Sequence, residues 1–198
     1  MLATIDKLGY VQIDTLAVVA RSHHHILWTR EQDYKEENLF ELQEKDKKIF
    51  EYWSHAVSYL PMKDYRFSIP RKVAFENNQL KWIQKDKNIN QYVLDRIKAE
   101  GPLQSKNFEH QRTSPANWFE WKPAKRALEQ LFMEGKLMIA KRQGFQKVYD
   151  LTERVLPDWV DVTTPTAEEY AYYIYRKSIE FTWNSKRTRN NLFKGKFA

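Results

Sequence analysis

Apolar and polar positions alternate through Tyr10, Val11, Gln12, Ile13 and Asp14. That period of two predicts a short β-strand with Val11 and Ile13 on one face and Gln12 and Asp14 on the other. Helical spacing follows. Leu16, Val19, Ala20, His23 and Leu27 fall near one face of a helix that Thr15 would cap. A polar turn at Arg30–Tyr34 leads to an amphipathic helix over Glu36–Lys47, anchored by Leu39, Phe40 and Leu42. Phe50–Trp53 reads as extended. Ser54 is placed to cap a short helix reaching Leu60, which Pro61 ends. Residues 61–80, with two prolines and many charges, read as a connector.

A second unit starts near Leu80. Asn90–Glu100 predicts a helix with Tyr92, Val93 and Ile97 inward, stopped by Gly101 and Pro102. Ser105 would cap a short helix through Phe108, and a polar loop covers 110–117. Lys122–Glu134 is the strongest helix signal. Pro123 lies in its first turn, Gly135 ends it, and Ala127, Leu128, Leu131 and Phe132 form its apolar stripe. Leu137–Arg142 and Phe145–Leu151 flank a turn at Gln143 and Gly144, which predicts a hairpin. Helix, short helix, helix, hairpin is the winged-helix order. Past a connector at Pro157–Pro165, Thr166 would cap a helix through Tyr175. The expected fold class is α+β, mainly α, with tandem winged-helix units: one over 1–75, a second over 80–157, and over 165–198 the start of a third with a basic tail.

Composition narrows the function classes. The 198 residues are 42% hydrophobic and 15% aromatic, enough for a substantial core. There is no cysteine, which removes disulfides and thiol chemistry. No apolar run approaches the length of a membrane span, and the N-terminus lacks the layout of a signal peptide, so a cytoplasmic protein is expected. The net charge of +7 is concentrated at one end: Arg176–Ala198 carries seven basic residues and one acid, so the body is nearly neutral. His23, His24 and His25 invite a metal reading, but three consecutive helical residues point about 100° apart and cannot converge on one ion. No metal and no cofactor is expected.

The blocks Gly9–Asp14 (GYVQID), Val18–His24 (VVARSHH), Leu27–Arg30 (LWTR), Phe50–Ala56 (FEYWSHA), Gly101–Leu103 (GPL), Lys122–Lys125 (KPAK) and Val148–Leu151 (VYDL) together resemble one family. It is the winged-helix DNA glycosylases of the crosslink-repair (YcaQ-like) group, and the likeness runs from about residue 8 to about residue 170. The resemblance implies hydrolysis of the N-glycosidic bond of N7-alkylated guanine, which some members of the family carry out within interstrand crosslinks, with Gln12 and Asp14 on the family's catalytic Q-x-D pair. Water rather than an amine is the expected nucleophile, and an abasic site the expected product. The family also implies further residues before the catalytic strand and beyond the present C-terminus, so the chain is expected to be shortened at both ends.

Duplex DNA is the expected partner, bound by a monomer. Arg21, His23, His24 and Arg30 are candidate contacts beside the pair. Lys122, Lys125 and Arg126 on the strong helix, with Lys141 and Arg142 on the hairpin, are candidates of the second unit. The alternative is a non-enzymatic winged-helix DNA-binding or regulatory protein, or an inactive shortened remnant.

Overall fold

The computed structural model describes residues 1–17, 19–81, 84–108 and 123–179. Helix predominates over strand, and the strands form two small antiparallel sheets, an α+β architecture.

The first part begins with α1 (Leu2–Leu8), which ends at Gly9. There φ is 79°, and the Gly9 N–H bonds back to the Ile5 and Asp6 carbonyls. Then come β1 (Val11–Gln12), α2 (Ser22–Trp28) and α3 (Glu36–Phe40), which runs on into a wider π turn over Glu41–Lys45. β2 (Ile49–Trp53) and β3 (Val57–Pro61) complete a sheet of order β1-β3-β2. Two expectations fail here. The segment before Pro61 is a strand, not a helix capped by Ser54; the Ser54 N–H instead bonds the Ala56 carbonyl in the turn. Nor is 61–80 a bare connector. It holds a 3₁₀ segment, Met62–Ser68, and α4 (Ile69–Glu76), with Pro70 in the first turn where its missing N–H costs nothing.

The later elements follow the expected order. α5 (Lys87–Glu100) is capped by Asp86, whose carboxylate accepts from the Asn88 and Ile89 N–H groups. Val93 and Ile97 face inward, whereas Tyr92 is half exposed. β4 (Leu103–Gln104) and a 3₁₀ turn at Ser105–Asn107 precede α6 (Pro123–Met133). Gly135, with φ 74°, closes α6, and the Lys136 N–H returns to the Leu131 carbonyl. β5 (Leu137–Gln143) and β6 (Gln146–Leu151) form the hairpin in a sheet of order β4-β6-β5. Gly144, φ 58°, takes the first central position of the two-residue turn, where a tight hairpin requires positive φ. α7 (Thr152–Val155) follows, then α8 over 167–179. Thr166 caps α8 as expected: its hydroxyl accepts from the Glu169 N–H, and the Glu169 carboxylate accepts from the Thr166 N–H. The loop expected at 110–117 and the tail after 179 lie outside the described residues.

β2 shows how the two parts join. Ile49 packs with Ile5, Val11, Leu27 and Leu39, while its neighbours Phe50 and Tyr52 pack with Val93, Leu128 and Phe132. Alternate side chains of one strand thus enter two apolar clusters. Each large side chain buried there contributes about 2–3 kcal/mol. The Tyr52 hydroxyl donates to the Met133 carbonyl at 2.6 Å, tying this sheet to the end of α6.

Candidate active site

The carboxylate–carboxamide pair sits where β1 leaves its sheet. Val11 pairs with Tyr59 and Gln12 with Ser58, and the Ile13 N–H donates to the Val57 carbonyl at 2.9 Å. The backbone is therefore extended through Ile13. Val11 and Ile13 are buried, Gln12 is exposed and Asp14 partly so. This is the alternation that the sequence predicts, although the ladder itself is only Val11–Gln12.

Asp14 is held at three points. Its N–H donates to His23 Nδ1 at 3.2 Å, its Oδ1 accepts from the Leu16 N–H at 2.9 Å, and its Oδ2 accepts from the Ser22 hydroxyl at 2.5 Å. The Ser22 hydrogen bond, followed by that from Leu16, holds the carboxyl below the usual aspartate range, so it is ionised at neutral pH. These bonds also explain why the expected helix does not start at Thr15. Satisfying the Leu16 N–H with the Asp14 side chain makes a local turn that competes with helix. Ala17 instead bridges to Arg21, and α2 begins only at Ser22. As a result Leu16 and Val19, expected near one face of a helix with His23 and Leu27, are 77% and 91% exposed.

His23 and His24 are buried and linked to this turn, not displayed. Burial first, then the charges of His24, Arg142 and Arg21, pushes His23 down to about 3. A neutral ring that accepts at Nδ1 carries its proton on Nε2; this tautomer follows from the bond to Asp14. His24 Nδ1 lies 2.7 Å from the Tyr34 hydroxyl, and its Nε2 lies 3.4 Å from a Glu36 carboxylate oxygen. Burial pushes it down as well, with Glu36 opposing. His23 therefore braces the turn and His24 the start of α3, in place of the displayed DNA contact expected of each.

The hairpin of the second sheet reaches this region. The Arg142 guanidinium forms a two-pronged pair with Glu51 at 2.7 and 2.6 Å, with side chains 4% and 0% exposed. It also donates to the Phe145 carbonyl and lies 4.5 Å from the centre of the Phe145 ring. This corrects the expectation that Arg142 faces DNA: a guanidinium enclosed with a carboxylate and a ring has no path to a phosphate. Arg21 covers the same ring at 3.8 Å. Arg30 remains exposed and donates to the Ile26 carbonyl at the end of α2, where a cation also suits the helix dipole.

Of the other candidates, Lys141 pairs with Glu44 at 3.1 Å, Lys125 is exposed on α6 and Arg126 is partly exposed. Lys122 lies outside the described residues. Ser22, Glu51 and Phe145 were not singled out as site residues. Ser22 stands eight residues past Asp14, a spacing without meaning until the turn is known.

Chemically, the turn offers a fixed anion beside an exposed carboxamide. It can stabilise developing positive charge and orient a water molecule. Those are the requirements of glycosidic hydrolysis. The family model described as DNA glycosylase AlkZ-like matches residues 5–177. The chain belongs to this AlkZ-like family of DNA glycosylases. No solved structure matches it. Among the described residues, no helix is long and apolar enough to cross a membrane.

Proposed function

We propose that the protein acts on duplex DNA and hydrolyses the N-glycosidic bond of N7-alkylated guanine, crosslinked guanines included, with Asp14 and Gln12 at the reacting centre. The observation that supports this reading best is the fixed, ionised carboxylate of Asp14. Alkylation at N7 makes the base cationic, so the bond from C1′ to N9 breaks with its electron pair leaving on the base, which becomes neutral. Positive charge then develops on the sugar. A carboxylate that already accepts two hydrogen bonds is a weak base but a well-placed counter-charge. Gln12 holds a water through its amide, and the water oxygen bonds to C1′. The water's second proton is lost to solvent or passes through Asp14. The products are free base and an abasic site, with no strand cleavage.

In this reading residues 1–75 and 80–157 are winged-helix units, and a monomer grips the duplex with Lys125 and Arg126 on α6 and Lys141 on the hairpin. Their phosphate contacts make binding fall with salt. The test is release of 7-methylguanine from a methylated duplex. Wild type is expected to release it and to leave the strand intact. Asp14→Asn, which keeps an acceptor for the Leu16 N–H, is expected to bind the duplex without releasing base. Wild type that binds but releases nothing would favour a non-enzymatic DNA-binding role.

A further inference from the structure

Asp14 does more than face solvent: its carboxylate ties down both ends of the turn that follows it. Leu16 donates its N–H to Oδ1, Ser22 its hydroxyl to Oδ2, and the Ala17–Arg21 bridge closes the turn between them. Arg21 in turn lies on the Phe145 ring at 3.8 Å. From this pinned support Leu16 and Val19 project with 77% and 91% of their surface exposed. A branched aliphatic side chain costs free energy in water, and among the described large apolar side chains these two are the most exposed.

We propose that Leu16 and Val19 form a wedge that enters the base stack of duplex DNA beside the damaged nucleotide. The proposal rests on the glycosylase reading and adds what unstacks the substrate. Apolar side chains inserted between base steps unstack and kink a duplex. The geometry suits that task because Leu16 is only two residues from Asp14 and bonded to it. Insertion there delivers the neighbouring sugar to the carboxylate in one motion. A protein partner seated on Leu16 and Val19 would cover Asp14 too, which disfavours that occupant. Arg30, exposed at the far end of α2, is available to a phosphate on the flank.

The test uses the full chain, a duplex with one 7-methylguanine, and 2-aminopurine as its neighbour. Binding of wild type is expected to raise 2-aminopurine fluorescence. Leu16→Ser with Val19→Ser is expected to abolish that rise and to slow single-turnover base release about tenfold or more. Its melting temperature and the salt slope of binding should be unchanged. Leu16→Met with Val19→Ile should keep the rise. Asp14→Asn separates the two readings, because it should raise fluorescence without releasing base. If wild type raises fluorescence but never releases base, the wedge stands and the glycosylase reading fails. If the double serine variant releases base at the wild-type rate, or wild type releases base with no change in fluorescence, the wedge is wrong and the glycosylase reading stands. Loss of binding to a protein partner alone, with DNA behaviour unchanged, would also overturn it.

Discussion

The Ser22 hydroxyl donates to Asp14 Oδ2 at 2.5 Å across eight residues of chain. It is the largest influence holding the Asp14 carboxyl below its ordinary range. A group with a depressed pKa is in its useful, charged form above that pKa and loses it as pH falls through it. Removing the hydroxyl in Ser22→Ala raises the Asp14 pKa. The acid limb of the rate of base release should therefore move to higher pH, while Ser22→Thr should keep the limb of wild type. Single-turnover rates measured from about pH 4 to 8 decide this. An unmoved limb in Ser22→Ala would mean that Asp14 is not the ionising group.

His23 carries a dependence of the same sign into stability. Its folded pKa of about 3 lies below that of an unfolded histidine, so between the two the unfolded chain binds more protons. Stability from this residue is complete above the unfolded pKa and falls as pH drops towards the folded one. Melting temperatures should decline between about pH 6.5 and 4, and His23→Asn should decline less. Asparagine keeps an acceptor for the Asp14 N–H, so the two curves should differ most at low pH. The ring ¹⁵N shifts of His23 should show an Nε2–H tautomer that does not titrate near neutrality.

Arg142 and Glu51 make the strongest mutational case for stability. Both side chains are enclosed, and Gln43 Nε2 also donates to Glu51, at 3.1 Å. Removing one partner leaves a buried charge alone, which costs about 3–5 kcal/mol. Arg142→Met or Glu51→Leu singly should lower the denaturation midpoint strongly. The double variant should recover much of the loss. If Arg142→Met weakened DNA binding through its salt slope without loss of stability, the enclosed pair would be refuted.

The contrast between Asp14 and Arg142 shows what a sequence reveals here. Gln12 and Asp14 were legible because a period of two is local, as were α6 and the hairpin, with Pro123, Gly135 and Gly144 as punctuation. β3 was not. It is the central strand, paired on both edges, and its Ser58 and Tyr59 are both buried, so it has no alternation to read. The turn after Asp14 was hidden because a side-chain hydrogen bond, not periodicity, decides it. Arg142 looked like a wing cation because its partner lies 91 residues away.

Lys72 supplies the last prediction. Its side chain is enclosed by Tyr65, Tyr52 and Phe50, with Nζ at 3.6, 4.8 and 5.6 Å from the ring centres. Among the described residues Nζ has no hydrogen-bond partner. The stem runs against Gly135, where a Cβ would come within 2.6 Å of Lys72 Cδ. Burial lowers the amine well below the ordinary lysine range. Between the folded and the unfolded pKa the unfolded chain therefore binds more protons than the folded one, and stability rises with pH across that window. Met, unbranched and apolar, fits the same channel without a charge to desolvate. Lys72→Met should therefore raise unfolding free energy at pH 7 by about 1–3 kcal/mol, and the gain should shrink near pH 10, where the unfolded lysine is also losing its proton. Urea denaturation at the two pH values measures both. A gain of equal size at both would show that Lys72 keeps an ordinary pKa in the fold, and a loss would show that the three rings hold the ammonium more strongly than burial opposes it.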